Sequence, residues 1–233
     1  SSYPSDYEGM RWALARAIAS QVPVVACTGN DSTRDSTEWL PSWGGVLGVG
    51  AIETNGRPSD YQNWGRPLST AALARPLARS GVSQERGEWW GTSFATPVVA
   101  GSLALSMQRW PRATGNQIMQ GLARTGVGGN GGEWNQYTGY GALDIYAMLT
   151  TNPTSFPDEN PFLDKGTYTV PSRQDVQDYI DGVVDPRVVM NDSSYEYLGY
   201  DERLALSREH GYPTHLGTSP RFHASNASNA KKK

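Results

Sequence analysis

This chain is short of several things that decide chemistry. Among its 233 residues there is one cysteine, Cys27, so no internal disulfide staples it and the fold must rest on packing. Its three histidines, His210, His215 and His223, all lie close to the C-terminal end. No apolar run approaches the ~20 residues that a membrane span requires. Charge is nearly balanced, with 20 Lys and Arg against 23 Asp and Glu and a net of −3. That balance gives no basis for nucleic acid or an anionic membrane as a partner.

Glycine, proline and tryptophan are plentiful by contrast, at 26, 15 and 8 residues, which describes a loop-rich globular protein and not a helical bundle. Tyr7 to Ser20 predicts a helix with Met10, Ala13, Leu14, Ala17 and Ile18 on one apolar stripe. Gln21-Val22-Pro23 breaks it, and Val24-Val25-Ala26-Cys27 reads as a short strand buried on both faces. A helix feeding a buried strand is half of a βαβ unit, so an α/β fold with a mostly parallel sheet is the expectation. The strand ends in Thr28-Gly29-Asn30, and functional groups collect at the carboxyl ends of such strands. Gly45 to Ile52 predicts a second buried strand, thinned by glycines, and the basic stretch Arg66 to Glu88 a solvated surface loop.

The most specific signal is Gly91-Thr92-Ser93-Phe94-Ala95-Thr96-Pro97, followed by the apolar run Val98 to Met107. Ser93 then stands at a helix N-terminus, where free N–H groups and the positive dipole end favour developing negative charge. An ordinary N-cap ahead of a small-residue packing face gives the same pattern. The run itself is apolar nearly all round, which predicts a helix buried in a core.

The pattern Gly-Thr-Ser-x-Ala-x-Pro resembles the nucleophile motif of the subtilisin-like serine proteases, the subtilases. Val24 to Asn30 is similar to that family's strand ending in Ala-Gly-Asn, with Thr28 in place of the alanine. Gly45 to Ile52, Tyr61 to Gly65 and Tyr137 to Ile145 resemble three further family segments in the right order. The resemblance implies a three-layer subtilisin-like fold over residues 1–150, as the second half of a catalytic domain. Residues 151–233 are then a linker and polar extension with a tail, in which Thr167 to Val170 reads as a strand and Arg173 to Ile180 as a helix with Val176 and Ile180 inward.

Carried onto this chain, the resemblance makes Ser93 the nucleophile and Asn30 the oxyanion donor of a serine endopeptidase acting on polypeptides. Ala26, Cys27, Thr28 and Gly29 become one wall of the pocket for the residue before the cut. Asp144 is structural, a cap on the final helix. No cofactor is expected; calcium is implied by the family alone, with no ligand cluster in the sequence. Extracellular localisation is likewise a family-level expectation.

A serine nucleophile needs a base, and the base an orienting acid. The family places both upstream of the oxyanion asparagine, where this chain has no histidine. Three accounts stand: a fragment of a full protease, one chain of a split enzyme whose partner supplies Asp and His, or a non-catalytic subtilase-like interaction domain. The first two need the upstream half of the catalytic domain in cis or in trans. Recruitment of His210, His215 or His223 would need the tail to fold across the cleft. An esterase-type hydrolase would want Gly-x-Ser-x-Gly, and this motif lacks the last glycine.

Overall fold

The computed structural model describes residues 5–36, 40–75, 77–79, 86–166 and 170–183. The chain divides into two compact units, Ser1–Met190 and Asn191–Lys233, and the described residues all belong to the first. The three histidines and most of the expected strand Thr167 to Val170 fall outside them; Val170 itself lies in a bend.

Three parallel strands form the central sheet: β1 (Val24–Cys27), β2 (Val46–Ile52) and β3 (Thr70–Leu73), in the order β1-β2-β3. Val24 pairs with Val46 and Cys27 with Val49, while Val49 also pairs with Thr70 and Ile52 with Leu73. β2 is buried along all but its last residue, as a central strand covered on both faces must be. Gly48 is required there, because a Cβ would come within 2.0 Å of the Pro67 carbonyl oxygen. The outer edge of β3 is closed by the chain itself, through Ala71 N–H to Gly141 O and Leu143 N–H to Ala71 O.

Strand β3 corrects the expectation of a surface loop. Ser69, Thr70, Ala71, Ala72 and Ala74 are all buried. The run carries small residues instead of large apolar ones, so it lacks a hydrophobic signal, yet small residues are what fit between β2 and the 141–143 segment. A two-stranded antiparallel hairpin, β4 (Leu77–Arg79) and β5 (Arg86–Glu88), follows and leads into the Ser93 segment.

Four helices pack around this frame after α1 (Ser5–Ala19): α2 (Thr92–Arg109), α3 (Gly115–Thr125), α4 (Ile145–Thr150) and α5 (Arg173–Asp181). The main core joins Leu47, Val49 and Ala51 of β2 to Val99 and Leu103 of α2, Ile118, Met119 and Leu122 of α3, and Met148 of α4. Thr114 caps α3 with a full capping box, accepting from Gln117 N–H while the Gln117 side chain accepts from Thr114 N–H. Asp144 caps α4, its carboxylate accepting from Ala147 N–H at 2.8 Å, the structural role expected of it.

Beyond residue 150, Pro153, Phe162, Leu163 and Val176 are buried, and Phe162 belongs to the main core. α5 lies against α1, where Trp12, Ala15 and Ile18 cluster with Leu163 and Val176. This contact rotates the buried face of α1 away from the expected stripe. Leu14 and Ile18 are buried, but Met10 and Ala13 are exposed. In α5 Val176 faces inward, whereas Ile180 is 53% exposed.

α2 departs most from expectation. Ala95, Val99, Ser102, Leu103 and Ser106 are buried against the sheet and neighbouring helices. Its other side is apolar and open: Pro97, Val98, Gly101, Ala104 and Leu105 are all exposed, Leu105 by 50%. Nothing among the described residues covers that side.

Candidate active site

The site forms where the carboxyl end of β1 meets the N-terminus of α2. Strand β1 delivers Ala26 and Cys27, both half-buried, then Thr28, Gly29 and Asn30. Thr28 is buried and holds the strand end to β2 twice, through its N–H and its hydroxyl, both donating to Val49 O at 3.0 and 3.2 Å. Gly29 then turns the chain at φ 99°, and a side chain there would also strike Asn63 Nδ2 at 2.4 Å, so only glycine suits the position. This turn brings Asn30 onto the N-terminus of α2.

Asn30 is exposed to solvent, but its carboxamide is not free to rotate. Its Oδ1 accepts from Thr92 N–H at 2.9 Å and from the Thr92 hydroxyl at 3.1 Å. The same hydroxyl accepts from Gly29 N–H at 3.2 Å. With Oδ1 committed, Nδ2 remains as the donor of this side chain. Thr92, fully buried, is therefore the lock between the strand end and the helix start. It was not singled out from sequence as more than part of a tight entry, since its partners lie some sixty positions away in the chain.

Ser93 is exposed and is the second residue of α2, so its N–H has no carbonyl one turn earlier within the helix. Its hydroxyl donates to Cys27 Sγ at 3.8 Å, which joins the nucleophile candidate to the predicted pocket wall. All six residues predicted for the site, Ala26, Cys27, Thr28, Gly29, Asn30 and Ser93, thus fall at one junction. Histidine is absent among the described residues, and no described charged group is found in hydrogen bond to Ser93.

Sequence reasoning missed the supports around this junction. Tyr61 Oη accepts from Gly91 N–H at 3.2 Å, fixing the entry to α2. Asn63 Oδ1 accepts from Asp31 N–H and Thr33 N–H, shaping the loop after Asn30. Two exposed tryptophans adjoin the site, Trp90 packed on Tyr61 at 5.1 Å and Trp89 stacked on Phe94 at 6.0 Å. Their signal was the exposed aromatic pair directly before Gly91. Among the described residues no group of three or more His, Cys, Asp or Glu could hold a metal ion, and no helix is long and apolar enough to cross a membrane.

Comparison with known proteins agrees with this geometry. Residues 1–141 match the family profile Peptidase_S8, described as the subtilase family. Subtilisin DY from Bacillus licheniformis is 28% identical over 147 residues, a stretch covering 62% of this chain and 53% of that protein. Mycosin-1 from Mycolicibacterium smegmatis is 35% identical over 127 residues, covering 50% of this chain and 28% of that one. The crystal structure of fervidolysin from Fervidobacterium pennivorans, related to subtilisin, shares the fold with a TM-score of 0.54 at 23% identity, over 63% of this chain and 25% of its own. The chain spans about half the length of subtilisin DY, or less of the other two. The parallel sheet between helices, the strand end that meets a serine-bearing helix start and the match over residues 1–141 lead to one conclusion: the chain belongs to the subtilase family.

Proposed function

We propose that this chain is the second half of a serine endopeptidase domain, over residues 1–150, with residues 151–233 as an extension to it. Ser93 Oγ attacks the scissile carbonyl carbon and gives its proton to a base. The Ser93 N–H and Asn30 Nδ2 hold the tetrahedral oxyanion. Collapse breaks the C–N bond, the leaving amine takes the proton, and water then hydrolyses the acyl-enzyme. Ala26, Cys27, Thr28 and Gly29 line the pocket for the residue before the cut. The base and its orienting acid come from the other half of the domain, in cis or in trans, and the chain by itself is inactive. Secretion is the setting in which such proteases on polypeptide substrates fit.

One observation carries this reading: the Asn30 carboxamide is locked by Thr92 with its amide left to donate, beside an exposed Ser93 at a helix N-terminus. Satisfying only the first N–H of α2 would not need the Thr92 hydroxyl to donate to Asn30 Oδ1 as well. The test is labelling by a fluorophosphonate with imidazole as a diffusible base. Labelling should be weak without imidazole, rise with its concentration, and vanish in Ser93→Ala. Asn30→Ala should slow it by about 10²–10³, the range belonging to subtilisin's own oxyanion asparagine. Labelling that persists in Ser93→Ala would sink the assignment. Strong Ser93-dependent labelling without imidazole, not raised by adding it, would place the base within this chain instead, at His210, His215 or His223.

A further inference from the structure

A cavity of about 210 Å³ that shares no residue with the Ser93 site lies where three stretches meet: 66–69 ahead of β3, 134–140, and 161–166, which follows the end of the family match at residue 141. Its walls are largely aromatic. Phe162, buried, stands 5.8 Å from Tyr140 with the rings tilted, and Trp134 is held by its indole N–H, which donates to Leu68 O at 2.8 Å. Arg66 and Asp164 put one charge of each sign on the lining, so it has no preference for an ion of either sign. At one wall sits Lys165, whose Nζ donates to Ser69 Oγ at 2.7 Å and to Pro67 O at 3.0 Å and lies 5.9 Å from the centre of the Phe162 ring. Ser69 lines the cavity too. Tying residues 161–166 to the start of β3 accounts for those two hydrogen bonds, but not for the cavity beside them. Apart from Lys231, Lys232 and Lys233 at the C-terminal end, every other Lys or Arg position of the chain is an arginine. Arginine cannot give up its proton, whereas a lysine can enter an apolar site as the neutral amine. Burial lowers the pKa of Lys165 to about 7, so near neutral pH much of it is the free base. The two N–H bonds of that base are enough for Ser69 and Pro67, and the nitrogen keeps the lone pair that a nucleophile needs.

We propose that this cavity is a covalent binding site for a small, neutral aromatic aldehyde, which Lys165 captures as an imine. The ring fits by size, since a cavity of about 150 Å³ holds a benzene molecule, and by chemistry, since Trp134, Tyr140 and Phe162 offer it faces and edges. Lys165 Nζ attacks the carbonyl carbon. A C–N bond forms, and the C=O π pair goes to the oxygen, which takes a proton from the nitrogen. The carbinolamine then loses its hydroxyl with the second nitrogen proton as water, leaving a C=N bond. One aldehyde and one amine give one imine and one water, and nothing is oxidised or reduced. Protonation of the imine restores one donor toward Ser69 Oγ. The site goes beyond the functional reading and does not rest on it.

The test incubates the full chain at neutral pH with benzaldehyde and cyanoborohydride, which reduces the imine to a stable secondary amine, and measures modification at each lysine by peptide mass spectrometry. Lys165 should react at least about tenfold faster than Lys231, Lys232 and Lys233, because an ordinary lysine has a free-base fraction smaller by about 10³ at neutral pH. Its rate should level off as benzaldehyde is raised. Trp134→Ala should abolish that plateau while formaldehyde, which has no ring to bind, still methylates Lys165 at the wild-type rate; Trp134→Phe should keep the plateau. If Trp134→Ala disrupts the pocket, seen as a changed formaldehyde rate, the plateau in the wild type decides. Ser93→Ala should alter none of this, so the site and the catalytic reading fail separately. Modification of Lys165 no faster than that of the terminal lysines would overturn the proposal and leave the residue a tie between segments. A fast reaction at Lys165 that climbs in proportion to benzaldehyde in the wild type overturns it as well, as the mark of a reactive amine without a binding site.

Discussion

Lys165 offers a test of the fold that is independent of catalysis. Its stem is partly accessible, but its ammonium is enclosed, donating to Pro67 O at 3.0 Å and to Ser69 Oγ at 2.7 Å. It borders a pocket of about 210 Å³ lined also by Arg66, Trp134, Tyr140 and Asp164. Burial lowers its pKa from the usual lysine value near 10.5 to about 7. In the unfolded chain the amine holds its proton up to about 10.5, whereas in the folded chain it releases it above about 7. Between those values the unfolded state binds more protons, so stability must rise with pH there, by at most about 1.4 kcal/mol per pH unit. Below about 7 both states are charged and the contribution is flat. Tyr140, pushed upward by burial and by Asp164, is common to wild type and variant and drops out of the difference between them. The perturbation is Lys165→Met, which keeps the length of the stem and removes the charge. Urea unfolding at pH 6, 8 and 9.5 should show the gap between wild type and variant changing in favour of wild type as pH rises, and level below neutrality. Parallel pH curves for the two proteins would refute the argument that this ammonium is desolvated.

Three further outcomes follow from the packing. Leu103→Ala, in the core face of α2, should cost about 2–5 kcal/mol, while Leu105→Ala two positions on should stay within about 0.5 kcal/mol by chemical denaturation; equal costs would mean that α2 is covered on both sides. Burial alone would raise the pKa of Asp175, but its hydrogen bonds with Arg11 and Ser172 outweigh this and lower it, so its contribution is present above about pH 4 and is lost as pH falls through the lowered value; Asp175→Asn should flatten the acid limb of a pH–stability curve, and an unaltered limb would count against the Arg11 pairing. Thr92→Val leaves Gly29 N–H without its acceptor and Asn30 Oδ1 with one donor fewer, which should cost about 1–3 kcal/mol and slow imidazole-dependent labelling, with Thr92→Ser restoring most of both; equal behaviour of the valine and serine variants would show that the hydroxyl is not the lock.

The elements that were legible in sequence are those whose cause is local. The serine motif, the apolar strand β2 and the Asp144 cap each lie within a few consecutive residues. What escaped depends on partners distant in the chain. β3 is built of Thr70, Ala71 and Ala72 because β2 and the 141–143 segment leave no room for larger side chains, and nothing in those residues by themselves announces a strand. The buried face of α1 was misjudged because α5, more than 150 positions later, decides which side is inside; the Arg11–Asp175 pair spans 164 positions. In the candidate site, Asn30 and Ser93 are legible as candidates, but the bonds of Thr92 and the supports Tyr61 and Asn63 are not, since each is a hydrogen bond to backbone or side chain far away in sequence.

The division of labour within the site follows from where its hydrogen bonds run. Among the described residues, the contacts that orient Asn30 and the entry to α2 run from Thr92 to Asn30, Gly29 to Thr92 and Gly91 to Tyr61. On the proposed assignment, the oxyanion donors are thus held in place by this chain's own groups, and preorganisation of that kind is where much of the catalytic stabilisation in acyl transfer resides. The base that the proposed function requires is a separate matter, because no histidine stands among the described residues. Under the proposed function, oxyanion stabilisation and proton transfer fall to different parts of the domain, and α2, which reads as a core helix in sequence, stands half-uncovered among the described residues.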